Sequence, residues 1–486
     1  MPTLTQDLIL LETRGLVRVT LENEKPIVRF KHALTREATY NSILQARRIE
    51  LHRSVAQTLN QIYPQPDLEL VLTIAEHWQR GGNGAQALET ILPHAQSLVY
   101  TGRGLSLTTL LSGLNREQLD PTQQRDLDLT LADASAARGE YHDARELYER
   151  ALTNADEPSL RIRILQGLGV CNYHLGSFAR AIEYYQASLK AAEETGDLVQ
   201  QARATGGMGA AYVNSGEYER ARKYLERSRA FSIQAGREVE LANAEGNMAL
   251  ALYYQGEYAQ AIQAAQRALE IDERLGHSTL AARTYPLLGY CYYSLGDLER
   301  AEDYYRRAYE SSRALGDTWG EANELTSLAE LYGERGELER AAATYQQAIP
   351  LLQTLKHEVA LAFSLTGLGE IQLKQAQQPK NSAQAASLIE NALTNVQQAL
   401  TLAQHSSLRE REGAALRVLA EIQAAQGNFE MARTTAERAV HALEQAGQSI
   451  ERRRAYRTYG QLLAQSSDPI QQASSAQFLA RAEKGA

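Results

Sequence analysis

The sequence predicts a mainly α chain, a right-handed α-solenoid of stacked helical hairpins preceded by a small β-bearing segment. Three observations carry that prediction. Gly176, Gly216, Gly256, Gly296 and Gly336 recur every 40 residues, and each is followed five residues later by an alanine: Ala181, Ala221, Ala261, Ala301 and Ala341. Seven residues before each glycine stands another small residue, Gly169, Gly209, Ala249, Gly289 or Ala329. At 486 residues the chain is also too long for one ordinary core. A fixed period of this length means supersecondary units that bury their apolar faces against one another.

Composition narrows the class. The chain is 44% hydrophobic and 22% charged, ordinary for a folded protein and unlike a disordered one. A net charge of -9 argues against a protein built to coat nucleic acid. Cys171 and Cys291 occupy the same point of repeats three periods apart, so they are expected to be reduced packing residues rather than a disulfide or metal pair. The sequence contains no apolar run of membrane-spanning length and no secretory leader pattern, and the expectation is a cytoplasmic protein.

Taken in order, Leu4 to Arg14 reads as a helix stopped by Gly15. Residues 16–21 and 27–30 are two β-rich runs joined by a turn at 22–26, the signature of a hairpin. A helix capped by Thr35 is expected to run from there to about Ile62. These elements make up an N-terminal segment, residues 1–63. A helical linker with one hairpin across Gly81–Gly84 follows over 64–120, and a solenoid with terminal capping helices over 121–486. Within the solenoid, Gly336 and Gly427 are 91 residues apart, two periods plus an insertion of 11 around residues 375–382.

Helix, two-stranded wing, helix resembles the back half of a winged-helix domain. Leu16-Val17, Arg29-Phe30-Lys31-His32-Ala33-Leu34, Glu37, Tyr40, Leu51-His52 and Ala75-Glu76-His77-Trp78 are similar to the segment that joins ATPase module to repeats in STAND-type signalling ATPases. The resemblance covers residues 5–100 and implies that His32 touches nucleotide phosphates in a complete parent protein. The Asp that commonly follows that histidine in the family is Ala33 here. The sequence also holds no Gly-x-x-x-x-Gly-Lys-Ser/Thr loop to cradle phosphates, so this chain is not expected to hydrolyse nucleotides. In this chain alone His32 is expected to pack near a helix start. Half a winged helix leaves an apolar face uncovered.

The repeat itself resembles the tetratricopeptide repeat, most cleanly in Leu288-Gly289, Tyr292, Gly296, Ala301, Tyr305 and Ala308. Gly296 can take positive φ and end the first helix, and Gly289 and Ala301 are small where two helices cross. That resemblance implies that the first helix of each pair lines a concave groove. The column near the start of each first helix is then Arg163, Arg203, Asn243, Arg283 and Asn323. Neighbouring inner positions add Tyr173, Asn214, Asn247, Tyr253, Tyr254, Tyr290 and Tyr293. Guanidinium and amide groups beside an aromatic strip suit an extended peptide with carboxylates, because Arg gives charge-assisted bonds and Asn pairs with backbone. In the family, Asn247 falls where peptide-binding repeats carry a backbone-clamping asparagine. The competing expectation is that these side chains pair with their neighbours.

No catalytic constellation, metal-ligand spacing or cofactor loop stands in the sequence. The function expected is therefore a non-catalytic scaffold or regulatory module binding a protein or peptide, with no cofactor, metal or membrane partner. A second reading is the sensor half of a STAND-type switch, associating with a separate ATPase segment. The third is a winged-helix DNA-binding regulator using Arg29, Lys31, Arg36, Arg47, Arg48 and Arg53; nucleic acid is disfavoured because the helix at 4–14 is apolar.

Overall fold

The computed structural model describes residues 2–22, 25–101, 103–276, 278–446 and 450–483. The chain divides into two compact units, Met1–Ser215 and Gly216–Ala486, each built almost wholly of helices.

The first unit opens with α1 (Pro2–Thr13), β1 (Val17–Glu22) and β2 (Lys25–Phe30). The strands pair antiparallel with Val17 opposite Phe30 and Val19 opposite Val28. The expected turn between them includes residues outside the described set. Next come α2 (Ala33–Ser42), α3 (Gln45–Ile62), α4 (Leu68–Arg80), α5 (Gly84–Ile91), α6 (Ala95–Tyr100) and α7 (Gly104–Ser112). The unit closes with α8 (Pro121–Ala137), α9 (Tyr141–Leu152), α10 (Pro158–His174), α11 (Phe178–Thr195) and α12 (Leu198–Asn214).

Three expectations at the N-terminus are corrected. The helix expected from Thr35 to Ile62 is two helices, because Ile43 and Leu44 take extended ψ values of 129° and 138°. The turn brings the Tyr40 hydroxyl within 2.9 Å of His52 Nε2, while Thr35 lies inside α2 and His32 holds the N-cap position. His32 is exposed rather than packed. Leu34 and Leu44 are 79% and 80% exposed.

The second unit contains α13 (Tyr218–Gln234), α14 (Glu238–Tyr254), α15 (Tyr258–Arg274), α16 (Ser278–Ser294), α17 (Leu298–Leu315), α18 (Thr318–Glu334) and α19 (Leu338–Thr354). It continues with α20 (Glu358–Ala376), α21 (Ala385–His405), α22 (Arg409–Ala425), α23 (Phe429–Ala446), α24 (Ile450–Ala464) and α25 (Pro469–Glu483). In α8–α11 and from α14 onward, even-numbered helices are the first members of the hairpins and odd-numbered ones the second. The inserted residues form a 3-10 turn over Pro379–Gln384, which lengthens one link without breaking the stack.

Local chemistry accounts for the hairpins. Gly296 takes φ +78° and Gly336 φ +75°, a left-handed backbone that ends the first helix of each pair at little steric cost. Asp297 then accepts from the Arg300 amide and caps α17. Ala181, Ala221, Ala261, Ala301 and Ala341 are all fully buried at the helix crossings. The earlier small residue has a more specific cause than close helix approach alone. A Cβ on Gly289 would stand 2.5 Å from the Tyr305 ring, and one on Gly169 would stand 2.5 Å from Tyr185. Gly207 of the next hairpin faces Tyr185 from the other side, again at 2.5 Å. Large ring and small neighbour are thus complementary parts of one packed seam.

Candidate binding site

The residues expected to bind lie on α10, α12, α14, α16 and α18. In the first unit Arg163 of α10 is already used: its guanidinium pairs with Asp133 of α8. Tyr173 is used as well, since the Asn214 amide donates to its hydroxyl at 2.9 Å. Arg203 is exposed on α12. Arg163 links α10 to α8, and Tyr173 links α10 to α12.

In the second unit Asn323 of α18 is likewise engaged. Its amide donates to the Tyr290 hydroxyl at 2.8 Å and to Glu324 Oε1 at 3.0 Å. Glu324 is 1% exposed, and burial pushes its carboxyl up to about 7, against the Asn323 hydrogen bond and with repulsion from Asp317. Burial first, then the Glu324 charge, pushes the Tyr290 phenol up to about 12. Tyr293 is half-buried, its ionisation suppressed by burial and by Glu330 and Glu334. The aromatic strip does form. Tyr254 stacks on Tyr218 at 5.5 Å, and Tyr253 touches Tyr254 at 5.5 Å and Tyr290 at 6.3 Å.

Three of the expected residues converge on one opening. Asn243 and Asn247 of α14 and Arg283 of α16 line a cavity of about 120 Å³, with Asp272 of α15 and Thr284 of α16 among its walls. Among the described residues, none of Asn243, Asn247 and Arg283 has a hydrogen-bond or ion-pair partner. Asn247 stands at the repeat position held by Gly207, Leu287 and Gly367 in other hairpins. An amide therefore replaces a packing residue on the wall of an opening.

The sequence reading missed a second inner region. Arg417 of α22 is almost wholly buried and binds three carboxylates: Glu370 at 2.7 Å, Glu451 at 3.0 Å and Glu421 at 3.1 Å. Arg454 of α24 reaches Glu334 of α18 at 3.0 Å, 120 residues away in sequence. Burial opposes ionisation of Glu370, but the Arg417 and Lys374 charges outweigh it and hold its carboxyl far below the usual range. One signal for this region was present in the sequence. A single repeat position runs Ala210, Leu250, Tyr290, Glu330, Glu370, changing from apolar to acidic on an inward-facing column.

Among the described residues no group of three or more His, Cys, Asp and Glu is arranged to hold a metal ion. No helix among them is long and apolar enough to cross a membrane. Cys171 and Cys291 are both buried and unbonded.

Comparison with known proteins gives the class of these hairpins. Residues 160–234 and 240–314 match one model of the tetratricopeptide repeat, and residues 325–347 and 413–438 match another. The matched hairpins are tetratricopeptide repeats, and they stack as a solenoid. Among solved structures, the chain is similar to the apo form of the quorum sensor NprR from B. thuringiensis, with 14% identity and a TM-score of 0.54 over 73% of this chain and 97% of that one. It is also similar to the apo form of RapI, with 14% identity and a TM-score of 0.51 over 74% and 98%. A STAND protein with a tetratricopeptide repeat sensor from Pyrococcus horikoshii aligns at 15% identity and a TM-score of 0.49, over 90% of this chain and 58% of that one. These are likenesses of fold. No curated protein matches the sequence.

Proposed function

We propose that the chain is a non-catalytic regulatory scaffold that holds an extended peptide or protein segment against the first-helix face of α14 and α16. One observation carries the reading. In the second unit Tyr290 and Asn323 are spent on a bond to each other, whereas Asn243, Asn247 and Arg283 are unspent among the described residues and line an opening. Amides there can pair with a peptide backbone, and Arg283 supplies a charge-assisted bond to a carboxylate of the segment. The Tyr253, Tyr254 and Tyr290 rings offer an apolar floor beside it. The fold shared with a quorum sensor supports a regulatory role, since the same architecture serves sensing there.

The test is a selection of random peptides on the immobilised chain, followed by anisotropy titration of the selected sequences. N247A and R283A each weaken binding by about tenfold or more, the scale of losing one hydrogen bond to a charged or backbone group. Unchanged affinity in both variants removes the site.

The second reading, a sensor half that docks on a separate ATPase module, is favoured by the uncovered apolar surface of Phe30, Leu34 and Leu44. A neighbouring reading frame that carries a phosphate-binding loop, and whose product co-purifies with this chain only while Leu34 and Leu44 are intact, would establish it. Co-purification that survives L34D and L44D would refute it.

A further inference from the structure

We infer that the pocket enclosed by α18, α20, α22 and α24 binds one cationic head group, a primary ammonium or a guanidinium, which pairs with the Glu330 carboxylate.

The pocket has a volume of about 60 Å³, with Glu330, Glu370, Glu451 and Arg454 among its charged walls and Tyr345 and Phe363 among its aromatic ones. Such a space holds roughly four to six waters at about 10–15 Å³ each, which is also the scale of a small cationic head. Of the eight charged side chains that line it, Glu330 and Arg411 stand outside the ion pairs among the described residues. Glu370 is held by Arg417 and Lys374, Glu451 by Arg417 and Arg454, and Glu334 by Arg454. Arg411 lies over the Phe363 ring at 4.7 Å. Glu330 alone among the lining carboxylates has no ion pair or hydrogen bond within the described residues.

Among the charges Arg454 acts most strongly and attracts an ionised Glu330, while Glu334 on its own helix, Glu451 on α24 and Glu370 on α20 repel it. The Tyr345, Tyr293 and Tyr305 phenols also face it, each held protonated partly by the Glu330 charge. Burial, ahead of these charges, pushes the Glu330 carboxyl up to about 6. Glu330 is half-buried and has no partner among the described residues, and an arriving cation would supply one. The cations on the walls are engaged: Arg417, Arg454 and Lys374 each hold carboxylates, and Arg411 lies over the Phe363 ring.

Binding therefore ionises Glu330 and releases a proton, so cation affinity rises as pH passes upward through about 6. The pocket shares no residue with the cavity at Asn243, Asn247 and Arg283, so this inference and the peptide-binding reading fail or survive separately.

The experiment is calorimetric titration of the full chain with methylguanidinium and with methylammonium, in buffers of differing ionisation enthalpy. Saturable binding of at least one cation is expected, with proton release near pH 6 that disappears in E330Q and an affinity loss there of about tenfold or more. N247A leaves cation binding unchanged. An arginine-bearing peptide that binds more tightly than spermidine assigns the head to a partner's side chain, and the reverse order assigns it to a polyamine. No saturable binding of either cation, or binding of equal strength in E330Q, overturns the inference. Should E330Q not fold, proton release by the wild-type chain decides it, and its absence is equally fatal.

Discussion

The α14–α16 face and the α18–α24 face are made from the same hairpin, yet they use their inward-facing positions in opposite ways. Between α14 and α16 the inner side chains are amides and an arginine left without partners around an opening. Between α18 and α24 most of the charged side chains are bound to each other around a smaller pocket, Glu330 being an exception, and Arg454 ties α24 directly to α18. A repeat determines where a side chain points; whether it stays available depends on what the other first helices bring opposite it. The lesson is that an inward position is a binding residue only where its neighbours leave it unsatisfied.

The largest test of this contrast is R417A. Removing that buried guanidinium leaves Glu370, Glu421 and Glu451 facing one another, and a loss of about 3–5 kcal/mol is expected from urea unfolding. A loss below about 1 kcal/mol would mean that the ion network is surface decoration rather than core. Next in size are two glycine substitutions with opposite signs. In G367A the new methyl would stand 2.4 Å from the Tyr345 hydroxyl, and the buried ring cannot yield, so stability falls by about 1–3 kcal/mol. In G246A the methyl on α14 meets nothing within 4 Å, and helix propensity raises stability by up to about 1 kcal/mol. If both variants destabilise equally, the α14 face is not open.

A pH experiment sharpens the border between the regions at Glu324. Its carboxyl is raised to about 7 in the folded chain, well above the ordinary glutamate value. A group raised on folding contributes stability that is complete below its unfolded value, about pH 4–5, and lost as pH climbs through about 7. The wild-type melting temperature therefore falls relative to that of E324Q over that window, as followed by circular dichroism. Parallel curves would place Glu324 in contact with water. The smallest expected change is R283A, which shifts stability by within about 0.5 kcal/mol because its side chain is exposed and unpaired. A larger loss would show that this arginine holds the fold rather than a ligand.

Much of the architecture was legible in the sequence, and for local reasons. Gly296 and Gly336 announce helix ends because a left-handed backbone favours glycine wherever it occurs, whatever surrounds it. Ala301 and Ala341 announce crossings because the constraint repeats with the hairpin. The column from Arg163 to Asn323 was correctly placed on first helices, but its availability was not legible. Asp133 lies 30 residues before Arg163, and Tyr290 lies 33 before Asn323, in the preceding hairpin each time. The break between α2 and α3 escaped for a related reason. Local helical periodicity runs on through Ile43 and Leu44, and what turns the chain there is the packing of His52 and Tyr40, His52 also meeting His77 at 2.8 Å.

By itself the sequence determined the hairpin, its period, the insertion and the faces that first helices present, since each depends on residues within one or two repeats of one another. The tertiary structure alone decided which of those faces remain open. That choice rests on pairs such as Arg454 with Glu334, whose partners are 120 residues apart and come within 3.0 Å only once the intervening hairpins have stacked. Electrostatic satisfaction is a property of distance in space, and a linear pattern carries no measure of it.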